Sequence, residues 1–296
     1  CSAVTGGDTC YDGLCDESMA SCIAVDNNTC DACLTGSPTA LAGADTEVVP
    51  NTWVYFLDAG SSDPDGQSLT YSWSIDEKPE GSSAALIGAA TSAPSMLGDV
   101  AGDYQICLTV TDTESCPSEP DCLTLRVKPQ VSLHLELTWD TTSSDLDLHY
   151  RAPGGTFFDS YPSCGTTSSD VYWCSSNPDW GSGGLGVPDG ISSNDPTLDV
   201  DNVMGYGPEN INQESLVNSA LMQTVGVHYW LDSGGGITNA RVRIYVDGEL
   251  QLEAVQAMSG PQFWEVADIY VSNDGTDVQI TPLSGFIYDQ YTPSGY

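Results

Sequence analysis

The strongest constraint on this chain is a period of two. In "VSLHLELTWD", residues 131–140, Val131, Leu133, Leu135, Leu137 and Trp139 fall on one side. Successive side chains of a strand point to opposite faces, so the alternation predicts a strand with one core face. The same reading applies to "NTWVYFLDAG", "LTYSWSI", "GDYQICLTVTD" and "CLTLRVKP", and later to "VGVHYWLD", "ARVRIYVDG" and "FWEVADIYV". Turn sequences such as "VDGEL" and "NDGT" separate them. No long amphipathic helix is evident; "NINQESLVNSALMQ" has room for one short turn. The chain is predicted to be all-β with two sandwiches, and its 296 residues are enough for two or three real cores.

Three segments are expected. Residues 1–37 are polar, rich in cysteine, Asp and Gly, and too short of apolar residues to form a core, so disulfides must hold them. Residues 38–129 and 130–296 carry the two sets of strands. The cysteines are 11 in number, an odd count that suits an exported protein with one cysteine set aside. Cys1 is the candidate: a chain beginning on cysteine suggests processing and lipidation, as in bacterial lipoproteins, or a bridge to another chain. Parity then constrains the rest. The first segment keeps five cysteines, the second segment holds Cys107, Cys116 and Cys122, and the third holds Cys164 and Cys174. Cys164 most simply closes on Cys174, and Cys116 on Cys122 within "CPSEPDC". That leaves Cys107, pointing outward between Ile106 and Leu108, to fasten the first segment through Cys33 or Cys30. Zinc at Cys30-x-x-Cys33 is the competing reading, but no second close pair and no nearby histidine supports it.

Charge narrows the partners. Lys and Arg number 6 against 42 Asp and Glu, a formal net charge of -36. Nucleic acid and anionic membrane surfaces need basic patches and are excluded as partners, apart from a membrane reached through a lipid on Cys1. Calcium, a saline habitat or a cationic partner fits. No run of 18 apolar residues occurs, as a membrane-crossing helix would need.

Two resemblances follow from these residues. "LDAGSSDPDGQSLTYSWSI", "KPEGSSAAL" and "GDYQICLTVTD" make residues 45–128 resemble a PKD domain, which implies an immunoglobulin-like sandwich serving as spacer, adhesive or protein-binding module. "LTWDTTSSDLDLHYRAPGG", "LDVDNVMGYGPENI" and "RVRIYVDG" make residues 131–275 resemble the YfaP-like β-sandwich family, interrupted by a Gly/Ser-rich insertion at 163–194. The first of these motifs is also similar to pre-peptidase C-terminal domains. This second resemblance implies a fold and no reaction.

The acids carry the functional expectation. In "SSDLDLHYR", Leu146, Leu148 and Tyr150 take the core face, and Asp145, Asp147 and His149 the other. "LDVD" repeats the pattern, with Asp199 and Asp201 outward; Asp140 ends the preceding strand, and Glu209 and Asn210 sit in a Gly/Pro loop. Carboxylates two residues apart on a strand stand about 6.5 Å from one another. At an effective dielectric near 20 they repel by about 2.5 kcal/mol. Ca²⁺ takes six to eight oxygens and removes that penalty. Asp140, Asp145, Asp147, Asp199, Asp201 and Glu209 are therefore candidate calcium ligands. The alternatives are a solvated acidic face and a carboxylate pair for glycoside hydrolysis, which would need one acid in an apolar setting. Asp63 and Asp65 read as turn residues, with a second ion as the alternative. His134, His149 and His228 lie far apart in sequence, and His149 reads as a surface histidine. The aromatics Phe157, Phe158, Tyr161, Tyr172, Trp173 and Trp180 could stack on sugars, anchor a protein or cover the end of the sandwich.

The expected protein is exported, non-enzymatic, disulfide-bonded and calcium-stabilised. It would be structural or adhesive at the cell surface, partnering itself in a filament or layer, or other surface proteins. A carbohydrate-binding module is the alternative, a hydrolase the next.

Overall fold

Strands form where the alternation predicts them. The computed structural model describes residues 36–165, 167–180, 189–203, 205–216, 222–272 and 277–283, with the backbone of 12–16, 21–25 and 287–289. The expectations for Cys1, Cys30 and Cys33 lie outside the described residues. A hairpin pairs β1 (Asp12–Asp16) with β2 (Ser21–Val25). The first sandwich follows, from β3 (Thr46–Val48), β4 (Thr52–Tyr55), β5 (Thr70–Glu77), β6 (Ser95–Gly98), β7 (Gly102–Thr111) and β8 (Asp121–Val127). One sheet runs β3-β8-β7-β5 and the other pairs β4 with β6. Phe56, Trp73, Tyr104, Ile106, Leu108 and Leu125 fill the space between them. Asp63 spends its Oδ1 on the amides of Asp65 and Gln67, both at 2.9 Å, which is turn chemistry.

The second sandwich uses β9 (Leu133–Trp139), β10 (Ser144–Arg151), β11 (Asp170–Val171), β12 (Thr197–Val200), β13 (Glu209–Gln213) and β14 (Met222–Asp232). It continues with β15 (Thr238–Val246), β16 (Glu249–Met258), β17 (Gln262–Val271), β18 (Val278–Pro282) and β19 (Ile287–Asp289). One sheet runs β12-β13-β9-β15-β16; the other runs β11-β10-β14-β17-β18, with β19 also on β17. Leu133, Leu135, Leu137 and Trp139 of β9 meet Leu146, Leu148, Tyr150, Val225, Val227 and Tyr229 in one core. Each fully buried Leu contributes about 1.5–3 kcal/mol. A one-residue slip of β9 would exchange its four apolar side chains for His134, Glu136 and Thr138, so the register is strongly held.

The other face of β9 is buried as well, against the first sandwich. The Glu136 carboxylate accepts from the Ala101 amide at 2.8 Å and pairs with Arg243 at 3.1 Å. Arg243 also reaches Glu253 at 2.7 Å and the Glu80 carbonyl at 2.9 Å. Gly81, at φ +90°, brings the loop so close that a Cβ there would stand 2.5 Å from the Thr138 hydroxyl.

The disulfides require a correction. Cys164 bonds Cys174 as expected, but Cys107 bonds Cys122. The two are register partners on neighbouring strands β7 and β8, so their side chains leave the sheet on the same face. Sequence proximity had paired Cys116 with Cys122 instead. Cys116 is itself disulfide-bonded, to none of these four. Cys107 is therefore not the residue that fastens the first segment.

Candidate metal centre

On β10 the predicted faces hold. Leu146, Leu148 and Tyr150 enter the core, while Asp147 and His149 lie on the opposite face and are buried too. The cover comes from Phe157, Phe158 and Tyr172, in a loop after β10 closed by Cys164–Cys174. The His149 ring stands 4.5 Å from Phe158 and 5.3 Å from Phe263, and stacks on Tyr172 at 4.8 Å. Opposite His149 in register is Gly226, where a Cβ would come 2.5 Å from the Phe263 ring. Glycine there lets the aromatic layer close down on the sheet. The surface reading of His149 is thus corrected. Phe158, Tyr172 and Trp180 are buried as well, so these aromatics cover the sandwich and are not presented to a glycan.

The carboxylates meet where the two sheets approach. β11 pairs only with Tyr150 and Arg151, which leaves the rest of that β10 edge without a strand among the described residues. Glu209 comes across from β13 and accepts from the Leu148 amide at 2.6 Å. Its other oxygen takes the Asn202 amide at 3.3 Å. Asp147, Asp201 and Glu209 then offer oxygens that all lie within 4.8 Å of one another. Asp145 is close enough for its charge to be felt by this group. Among the described residues, Asp145 Oδ1 and Asp147 Oδ2 are buried with no hydrogen-bond partner. A lone buried carboxylate oxygen is costly, and a cation is the usual remedy.

Two candidates are elsewhere. Asp140 lines a crevice between the sandwiches and is saturated by Thr238 and by the amide and side chain of Asn239. Those hydrogen bonds outweigh its partial burial and hold its carboxyl below the usual range. Asp199 is exposed and bonded to the Asn212 side chain. The β12 register shifts between Leu198 and Val200, so the bulge breaks the alternation that had put Asp199 beside Asp201. Glu209 is corrected from loop to strand, as the first residue of β13.

Electrostatics mark the remaining group. Burial first, then the charges of Asp147 and Asp201, push Asp145 up to about 7. Burial raises Asp147 as well; His149 opposes this, and Asp201 and Asp170 add to it. Glu209 is raised by burial and by Asp147, against the Leu148 amide. Without a cation these acids hold protons at pH values where exposed carboxylates are ionised.

Sequence reasoning missed the imidazoles. Burial pulls His149 down to about 3, so its ring is neutral. His228 is the register partner of Asp147, and Asp147, His149 and His228 present ligand atoms within 4.8 Å of one another. The signal was present in "VGVHYW": Val225, Val227 and Tyr229 face the core, which places His228 on the face of Asp147.

The fold is thus a two-sandwich β-protein with a carboxylate and imidazole centre in its second unit. Residues 42–122 match the family model described as "K319L-like, PKD domain". No curated protein sequence matches the chain. Among solved structures, the chain is similar to a nucleoside hydrolase-related hypothetical protein from Saccharophagus degradans associated with carbohydrate metabolism. Identity is 23%, over 31% of this chain and 26% of that one, with a TM-score of 0.29. It is similar to the PKD domain of KIAA 1837 protein at 26% identity, over 30% of this chain and 84% of that one, with a TM-score of 0.27. The D00-D0 domain of intimin matches at 9% identity, over 76% of this chain and 98% of that one, with a TM-score of 0.25.

Proposed function

We propose that this chain is an exported, non-catalytic surface protein, structural or adhesive, in which a PKD spacer carries a second, YfaP-like sandwich stabilised by Ca²⁺. The observation that carries the reading is the oxygen set of Asp147, Asp201 and Glu209, with Asp145 beside it. These donors come from β10, from β13 and from the residue after β12, so a bound ion ties one sheet to the other. Calcium suits an all-oxygen, irregular set. The PKD match supports a spacer or adhesive role. So does a stripe on β4 and just beyond it, where Trp53, Tyr55 and Leu57 are exposed while Val54 and Phe56 are buried. Exposed apolar stripes of this kind serve contacts with other proteins. Self-association would build a filament or layer.

The test is protease shaving of intact producing cells, with electron microscopy of the native material before and after chelator. The chain is expected to be digested from outside, and chelator to disrupt its assemblies. Full protection in intact cells, with release only on lysis, would contradict the reading.

A further inference from the structure

We propose that Asp147, His149 and His228 form a second metal site, selective for a first-row transition-metal dication such as Zn²⁺. The inference does not rest on the calcium reading, because its donors include two imidazoles. Its geometry comes from the sheet. Asp147 and His228 are cross-strand partners on β10 and β14, and His149 is two residues further along the same face. Such a triangle sets three side chains side by side. The observed separations are at most 4.8 Å, against about 3.4 Å between donors around a tetrahedral zinc. Side-chain rotation spans that gap.

Three features separate this from an ordinary core histidine. First, His149 Nδ1 lies 2.8 Å from Asp170 Oδ2, and the Phe158 amide donates to the same oxygen at 2.8 Å. With Asp170 ionised, that oxygen accepts from both, so Nδ1–H donates to it and Nε2 keeps its lone pair. A ligating histidine is held in the same way, by a carboxylate on its other nitrogen. Second, His149 is wholly buried and, among the described residues, its Nε2 has no hydrogen-bond partner; nor has Asp147 Oδ2. Third, Asp147 Oδ2 faces the His228 ring, 3.8 Å from Nδ1. The walls are Phe158, Tyr172, Trp230 and Phe263. A lining so apolar leaves no wet open position for a substrate, so the ion is structural. Nitrogen donors favour Zn²⁺ and its neighbours over Ca²⁺, which prefers oxygen. Asp147 belongs to both groups and would bridge them when both are filled.

The experiment loads the metal-stripped, disulfide-intact full chain with Co²⁺ and then Zn²⁺. The wild type is expected to bind one Co²⁺ with visible d–d bands that Zn²⁺ abolishes and excess Ca²⁺ does not. Asp170→Asn, which acts through His149, is expected to weaken binding about 10–100-fold, and His228→Gln more. X-ray absorption on the Zn²⁺-loaded wild type needs no variant and should show two imidazoles. An all-oxygen zinc shell, or equal Co²⁺ affinity in wild type and His228→Gln, would overturn the site. Either result would leave Ca²⁺ binding to be judged separately.

Discussion

Stripped of divalent cations near pH 7.5, the protein is expected to melt roughly 5–10 °C lower than in excess Ca²⁺; near pH 5 the two curves should converge. The size follows from linkage: a hundredfold excess over the dissociation constant stabilises by about 2.7 kcal/mol. In a unit of this length each kcal/mol moves the midpoint by roughly 2–4 °C. The pH dependence follows from the acids. Asp145 is raised from 3.8 to about 7 by burial and by Asp147 and Asp201, and Asp147 and Glu209 are raised with it. Between those values the unfolded chain has released protons that the metal-free fold retains. The folded state therefore binds more protons, and stability falls as pH rises through that window. Below it, the acids are protonated in both states and the penalty vanishes. Bound calcium would take the place of the protons at high pH and be displaced by them at low pH. Scanning calorimetry with and without EDTA reads this directly. A metal-free midpoint that is flat from pH 5 to 7.5 would contradict it.

Arg243→Met is expected to destabilise the protein by about 3–5 kcal/mol, the usual cost of leaving a buried charge without its partner. The side chains of Arg243 and Glu136 are only 7% and 1% exposed, so water cannot replace the lost contact. Glu136 would keep the Ala101 amide but lose the guanidinium. The link from Arg243 to the Glu80 carbonyl would go as well, loosening the first sandwich from the second. Glu136→Gln combined with Arg243→Met keeps an acceptor for Ala101 and removes the charge, so the double variant should be more stable than Arg243→Met alone. Chemical denaturation of the four proteins measures the coupling. Additive losses would show that the pair is not coupled.

Much of this was legible in local pattern. The alternation of "VSLHLELTWD" and "DLDLHYR" assigned the core faces of β9 and β10, because a strand's period is fixed by its backbone. It could not say what covers the opposite face. His149 reads as exposed until the loop carrying Phe158 and Tyr172 is folded over it, and that contact is non-local. Asp147, Asp201 and Glu209 do come together, with Asp145 within reach of their charges, but Asp199 does not. A one-residue bulge between Leu198 and Val200, invisible in the spacing, breaks the alternation that would keep Asp199 on the face of Asp201. The cysteines fail for the same kind of reason. Closeness in "CPSEPDC" favoured Cys116 with Cys122, whereas hairpin register, set by the pairing of β7 with β8, places Cys107 opposite Cys122. His228 stands alone in sequence, although its strand neighbours already fix its face.

On the proposed reading, a hard cation sits at the seam between the sheets of the second sandwich. Equilibrium dialysis of Ca²⁺ with the metal-stripped full chain tests it most directly, comparing wild type with Asp201→Asn, Asp199→Asn and Asp140→Asn. Asp201 is exposed, so its substitution spares the core. A saturable site is expected in wild type, Asp199→Asn and Asp140→Asn, weakened at least about tenfold in Asp201→Asn, a loss of 1.4 kcal/mol or more. No saturable binding in wild type, or equal affinity in Asp201→Asn, would contradict it.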